Sequence, residues 1–417
     1  MLIGFSIKNF MSFYEENIFT MNASSDTKFS ELNTIQTNYG ELIKSAFVFG
    51  ANGSGKTNFI QAISYMKNIV LADLNLQSKM MRVKNFAFHE LAMKTPSAFE
   101  VAFIADSIMY EYGFELLNGK VNKEYLYEKK AKRKMPVFVR TSPDFNDITL
   151  SKEMSNVQNL TQNTRQDTLF LYWANGGNNE IAMNVYHWFE NIKIFDTNEI
   201  TNYSTIKYLK TEEHNKENIL KLLQIADTHI LDFDVSLSER AKSVMEDFEI
   251  EVFPDIIKTK HHFYNEDWKA SGTLSWPIDL ESSGTQKLFD LAGPIIDALE
   301  KGKIIFVDEI DSRLHPLLVR FLVMMFNSIS KNPNDAQLIC NTHDALLLDE
   351  DIRRDQVYFT EKNEYGISQL YALTDFKGIR KNSKLLKQYL VGSFGATPNI
   401  REHLMSTSFQ EVVDESK

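Results

Sequence analysis

Apolar residues in this chain gather into short uninterrupted runs and longer stretches of helical spacing, and the two patterns alternate. Residues 46–49, Ile304–Val307 and 337–340 are continuous apolar runs, read as strands, and Ile304–Val307 has the form of a central parallel strand covered on both faces. Phe59, Ile63 and Met66 recur at helical spacing after the first run. Leu288, Leu291, Ile295, Ile296 and Leu299 mark one face of a second amphipathic helix. Between residues 97 and 139, "AFEVAFI", "YEYGFELLNGKV" and "MPVFVR" alternate with turn signals such as "LNGK", which predicts an antiparallel meander. Residues 181–250 read as largely helical and polar, in pieces such as "HNKENILKLLQIADTHI". The resulting partition has an N-terminal part over 1–145, a mainly helical insert over 146–275 and a C-terminal part over 276–417. From about Ser406 the periodicity fades and the end is expected to fray.

Composition narrows the class. The chain has 417 residues and a net charge of -11, with 43% hydrophobic and 24% charged residues, as expected of a soluble globular protein of two or three lobes. No apolar run is long enough to span a bilayer, and "MLIGFSIKNF" lacks the pattern of a secretion signal, so a cytoplasmic location is expected. The single cysteine, Cys340, excludes an intramolecular disulfide and a cysteine-cluster metal site. The acidic balance argues against a protein coated in nucleic acid. It leaves room for a local basic patch, and Lys129, Lys130, Lys132, Arg133 and Lys134 form one, read either as a solvated hairpin tip or as a contact for nucleic acid or an acidic partner.

The chemistry begins at residues 50–57, "GANGSGKT", a complete P-loop pattern placed between an apolar strand and a helix. Gly50, Gly53 and Gly55 let the backbone wrap round phosphates with its N–H groups inward. The expected nucleotide cradle comprises Asn52, Gly53, Ser54, Gly55, Lys56, Thr57 and Asn58. Lys56 is expected at the β- and γ-phosphates and the Thr57 hydroxyl at Mg2+. No "NKxD" stretch follows at GTPase spacing, which favours ATP.

Such a site also needs a carboxylate at the end of a buried strand, and "IIFVDEID" supplies Asp308 for the metal and Glu309 for the attacking water. "AQLICNTHD" ends the next strand on His343, a candidate for the γ-phosphate. Ahead of both lies "ESSGTQ", a small-residue turn opening the 288–299 helix. Ser282 or Ser283 there is an N-cap candidate, and the turn itself is a second phosphate-holding candidate.

The order of P-loop, serine-glycine turn, Asp-Glu strand and histidine strand resembles the ATP-binding-cassette type of ATPase head. That resemblance implies an α/β head with an antiparallel β lobe and a helical insert, and a homodimer or higher oligomer built through ATP-sandwiched heads. It implies that Ser283, Gly284 and Thr285 of one subunit contact the γ-phosphate on its partner's P-loop, that Ser312 to His315 form the linking loop, and that His343 is the switch histidine. The family's lobe-linking glutamine has three candidates here, Gln158, Gln162 and Gln166.

The opening "IGFSIKNFMSF" resembles that of SMC-like and RecF-like heads, with Met11 where a basic residue is usual. "ESSGTQKLF", "VDEIDSRLHP", "NTHDALLLD" with "RRDQVYF", and "YLVGSFGATP" together resemble the small stand-alone SMC-like ATPases of bacterial antiphage systems, including abortive-infection and RloA-type proteins. The function so implied is an ATP-hydrolysing switch in phage defence whose head dimer senses a trigger and controls a separate effector, a nuclease or toxin. The alternative is a RecF-like ATPase that clamps DNA. A transporter motor is disfavoured by the long spacing between Lys56 and Ser283.

Overall fold

The computed structural model describes residues 1–130, 133–195, 203–212, 214–238, 256–379 and 384–398. Ala131, Lys132, parts of the expected helical stretch 181–250, and the end beyond Ser406 lie outside the described residues.

Two large sheets organise the chain. One is a seven-stranded antiparallel sheet in the order Ile148–Leu150, Arg133–Arg140, Lys120–Lys130, Ile108–Leu117, Ser97–Ala105, Leu2–Lys8, Asn17–Thr20. The meander expected over 97–139 is its centre. The other has six strands in the order Ile192–Phe195, Ile304–Val307, Gln337–Asn341, Ser45–Gly50, Val357–Lys362, Ser368–Ala372. All neighbours in it are parallel except the last pair.

Apolar runs without alternation arise because the parallel strands are covered on both faces. Ala46 and Val48 of the P-loop strand enter the core shared with the antiparallel sheet and the helix Lys56–Leu71. Phe47 and Phe49 enter a second core with the helices Ser283–Lys301 and Pro316–Asn327. Ile304 and Phe306 likewise face the first core, Ile305 and Val307 the second. Every buried strand residue thus meets side chains, which excludes water from the sheet.

The segment 146–275, expected to be a mainly helical insert, does carry the helices Phe170–Gly176, Glu180–Glu190, Tyr203–Leu209 and Asn215–Ala226. It also lends a strand to each large sheet and supplies a third sheet, Asp232–Ser236, Ile256–Tyr264 and Ala270–Pro277. Its limits therefore do not coincide with structural breaks. The physical reason is burial: Ile192–Phe195, "IKIF", sits at the edge of the parallel sheet with Lys193 half-buried, and Ala270–Pro277 is exposed along its whole length, so neither shows a core-strand pattern.

Candidate functional site

The strand registers bring the chemistry to one edge of the parallel sheet. Val307 is level with Cys340, Asn341 with Val48, and Thr360 with Gly50, so the residues that follow each strand converge at the carboxyl ends. In open α/β sheets this is where ligands bind. A cavity of about 670 Å³ lies there, lined by Asn52, Gly53, Gly55, Lys56, Thr57, Asn58, Glu309, Asp311, Ser312, His343 and Lys362.

The loop is shaped by close approach. A Cβ on Gly50 would lie 2.5 Å from the Thr360 carbonyl and 2.6 Å from the Ser54 hydroxyl, so the chain can turn off the strand only with hydrogen there. Gly53 and Gly55 have φ of 74° and 118°, a region that disfavours side chains. Ser54 is buried, and its hydroxyl shares a 2.6 Å hydrogen bond with Thr360. Behind the loop, the Ser368 hydroxyl donates to the Ser54 carbonyl (2.6 Å) and shares a hydrogen bond with the Ser12 hydroxyl (2.8 Å), which accepts from the Asn58 amide (2.7 Å). The N-terminal "NFMSF" turn is thus a brace for the P-loop, with Ser12 as the bracing residue.

Lys56 donates to the Gly50 carbonyl at 2.8 Å and the Ala51 carbonyl at 3.1 Å, curling over its own loop. Burial lowers its ammonium to about 8, against the opposing pull of Glu309, Asp311 and Asp308. Thr57 donates to Asp308 Oδ1 at 3.2 Å. Asp308 itself is buried, its backbone N–H donates to the Phe195 carbonyl, and its Oδ1 accepts from the Asn341 amide. Asn341 lies on the strand between the P-loop strand and the Asp-Glu strand, so one side chain can span both. Its Oδ1 accepts the Glu309 N–H, which holds Glu309 in the left-handed region at φ 48° on the cavity wall.

His343 is exposed at the rim, and its backbone N–H donates to both Asp311 carboxylate oxygens at 3.1 and 3.2 Å. Partial desolvation and the charge of Lys56 lower its pKa, which favours the neutral imidazole. A hydroxyl beside a carboxylate, with phosphate oxygens and water to complete the shell, is a fitting donor set for Mg2+. No cluster of three or more His, Cys, Asp or Glu side chains that could hold a metal ion occurs among the described residues.

The serine-glycine turn is not part of this cavity's lining. Its N-cap is Ser282, whose hydroxyl accepts the Thr285 N–H at 3.1 Å. Ser283 is therefore released from capping and exposed at the first turn of the helix. Gly284 packs so closely on the linking loop that a Cβ there would lie 2.9 Å from the Arg313 carbonyl. Thr285, expected with them at the partner's phosphate, is 4% exposed in the single chain, and its hydroxyl is paired with Ser282 at 2.9 Å. Helical rotation accounts for its burial, since two residues after Ser283 the side chain points to the core.

Gln158, Gln162 and Gln166 are exposed and none lines the cavity. The residues missed in the sequence are Ser12, Asn341, Asp311, Thr360, Lys362 and Ser368. Asn341 had a signal, as a polar residue ending an apolar strand. The hydroxyl brace had none, because Ser12 and Ser368 meet only in the fold.

This architecture and edge chemistry define an α/β P-loop ATPase head. The chain belongs to the family described as "AAA domain, putative AbiEii toxin, Type IV TA system", which matches residues 45–349. No curated protein matches it. Among solved structures it is similar to an SMC head domain from Thermotoga maritima, at 14% identity and a TM-score of 0.40 over 89% of this chain and 98% of that one. It is also similar to an Smc head domain with an extended coiled coil, bound to the C-terminal domain of ScpA and derived from Pyrococcus furiosus, at 12% identity and a TM-score of 0.40 over 90% and 97%. No helix among the described residues is long and apolar enough to cross a membrane.

Proposed function

We propose that this chain is an ATP-binding and ATP-hydrolysing switch that works as a pair of heads and controls a separate effector, a nuclease or toxin, in phage defence. The observation that carries the reading is a division of parts. Lys56, Thr57, Asp308, Glu309 and His343 stand together round one cavity, while the exposed Ser283 turn of the same chain lies outside its lining. A second copy, turned about a twofold axis, would bring its Ser283 and Gly284 to the open side, so ATP would close two sites at once. Mg2+, when bound at Thr57 and Asp308, would offset phosphate charge. Glu309 would take a proton from the attacking water, Lys56 would hold the β- and γ-phosphates, and His343 would donate a hydrogen bond to the γ-phosphate.

The family description names an AAA domain and a putative toxin of a type IV toxin-antitoxin system, which supports the ATPase part of the reading. The alternative of a DNA clamp draws less support. Of the basic cluster, Lys130 pairs with Glu128 at 2.7 Å, and Lys134 pairs with Glu111 and lies 4.3 Å from the centre of the Tyr127 ring, so local groups already occupy these charges.

Ser283→Arg tests the pairing. It is expected to leave ATP binding to a single head intact and to abolish ATP-driven dimerisation and turnover, because the long cation would fill the place of the partner's phosphate. Mixed with Lys56→Ala, it should regain partial hydrolysis, since one composite site then carries neither substitution. Turnover by Ser283→Arg at the parental rate would reduce the turn to a helix start.

The pKa of Lys56 sets a pH dependence. ATP needs the ammonium, so between about pH 8 and pH 10 affinity should fall roughly tenfold per unit as the free protein loses that proton. Stability should move oppositely, because through the same window the unfolded chain still binds the proton and the folded chain does not. Fluorescent-nucleotide titration at about pH 7 and about pH 9 measures the first effect, and equal affinities would show that the ammonium keeps its proton through that window.

A further inference from the structure

The hairpin Ile256–Tyr264 and Ala270–Pro277 projects ahead of the serine-glycine turn with an unguarded outer edge. Among the described residues, Ala270–Pro277 pairs only with Ile256–Tyr264, so its far side presents free backbone N–H and C=O groups. Natural edge strands are usually protected by charge. The opposite edge of this sheet follows that rule, with Asp232 and Asp234 bound to Lys216 and Lys260. "ASGTLSWP" has no charged residue at all. One face of the hairpin also leaves large apolar side chains bare, beside Thr259 and His261: Phe263, Leu274 and Trp276 are 55%, 44% and 38% exposed.

We infer that this edge takes a second copy of the same chain by antiparallel strand addition, without nucleotide and apart from the ATP-driven pairing of heads. Three features select a second copy over another partner. A neutral strand meets no repulsion from itself, and it offers no charge by which to choose a charged partner. Antiparallel pairing of identical strands is isologous, so it closes at two copies. Centred on Leu274, the pairing sets Leu274 opposite Leu274, Thr273 opposite Ser275, and Trp276 opposite Gly272 of the other copy. A Cβ on Gly272 would meet nothing within 4 Å, so there is open space on that face for the indole. The result would be a continuous six-stranded sheet that buries both Trp276 rings.

The hairpin is also fastened to the active part of the head. His261 Nε2 lies 2.7 Å from Glu281 Oε1, the Thr259 hydroxyl donates to the same oxygen, and that hydroxyl reaches the Trp276 carbonyl at 3.1 Å. Glu281 immediately precedes Ser282 and Ser283, so pairing at the edge would hold the turn that ATP must meet.

Light scattering on the full chain carrying Lys56→Ala, with no nucleotide added, decides the matter. The expected mass is that of a dimer. Leu274→Lys in the same background should halve it, because two ammonium groups would face each other across the twofold axis. An equal mixture of Leu274→Lys and Leu274→Glu should restore the dimer, which loss of folding would not allow. ATP binding by each Leu274 variant with Lys56 intact reports that the head is folded. A monomeric Lys56→Ala chain, a dimer that survives Leu274→Lys, or a charge-complementary mixture that stays monomeric would each overturn the inference. A monomer would do so even if the edge proved to take some other peptide. The ATP-driven pairing is tested separately by Ser283→Arg, so failure of one leaves the other standing.

Discussion

Lys56→Ala is expected to lower ATP affinity by roughly 100-fold or more and to abolish turnover, while the protein stays folded. In the proposed complex the ammonium would make charge-assisted hydrogen bonds to two phosphates, each worth about 1.5–3 kcal/mol, so losing them would remove about 3–6 kcal/mol of binding. Folding tolerates the change for a reason visible in the ligand-free loop. The ammonium is held there by only the Gly50 and Ala51 carbonyls, and burial already presses it towards its neutral form. Its removal frees two carbonyls beside the exposed Asn52 and Gly53, where water can replace it. Calorimetric titration with ATP and Mg2+, next to a thermal melt, separates the two quantities. Parental affinity in a folded Lys56→Ala protein would overturn the P-loop assignment.

The same contrast between site and scaffold governs how much of the protein was legible in its sequence. The strands Ser45–Gly50, Ile304–Val307 and Gln337–Asn341 were legible because their middles, buried on both faces, are runs of apolar side chains with no alternation. The P-loop was legible because phosphate binding demands glycine at positions of positive φ. The third sheet was not, since its outer strand buries nothing. The strand Ile192–Phe195 was hidden by Lys193, whose stem packs at the sheet edge. Pattern also failed where a site depends on groups distant in the chain. Asn341 supports Asp308 and Glu309 together, and Ser12 and Ser368 brace the P-loop from behind. Those contacts follow from strand order, which no local window contains. Thr285 shows the converse case. The motif did not show that the first turn of its own helix carries its side chain inward, onto Ser282.

Glu309→Gln and Asp308→Ala should part company although the two residues are adjacent. Asp308 is buried between Thr57 and Asn341 at the proposed metal position, whereas Glu309 stands on the cavity wall with its backbone fixed by Asn341. Glutamine at 309 keeps the size and one hydrogen-bonding oxygen but cannot accept the proton of water. ATP should still bind and the heads should still close, with hydrolysis slowed by about 10²–10⁴-fold, the usual contribution of a positioned general base. The variant should accumulate as an ATP-bound dimer. Asp308→Ala should give no trapped dimer, because it removes the carboxylate that completes the Mg2+ donor set and leaves the Asn341 amide without its buried acceptor. In cells the first would lock the switch in one state, and the second would behave as a simple loss. Light scattering with ATP and Mg2+ distinguishes them in vitro. A Glu309→Gln protein that remains monomeric with ATP, or hydrolyses it at the parental rate, would move the general base elsewhere on the cavity wall, to Asp311 or His343, and the head-pairing scheme would lose the residue on which its timing depends.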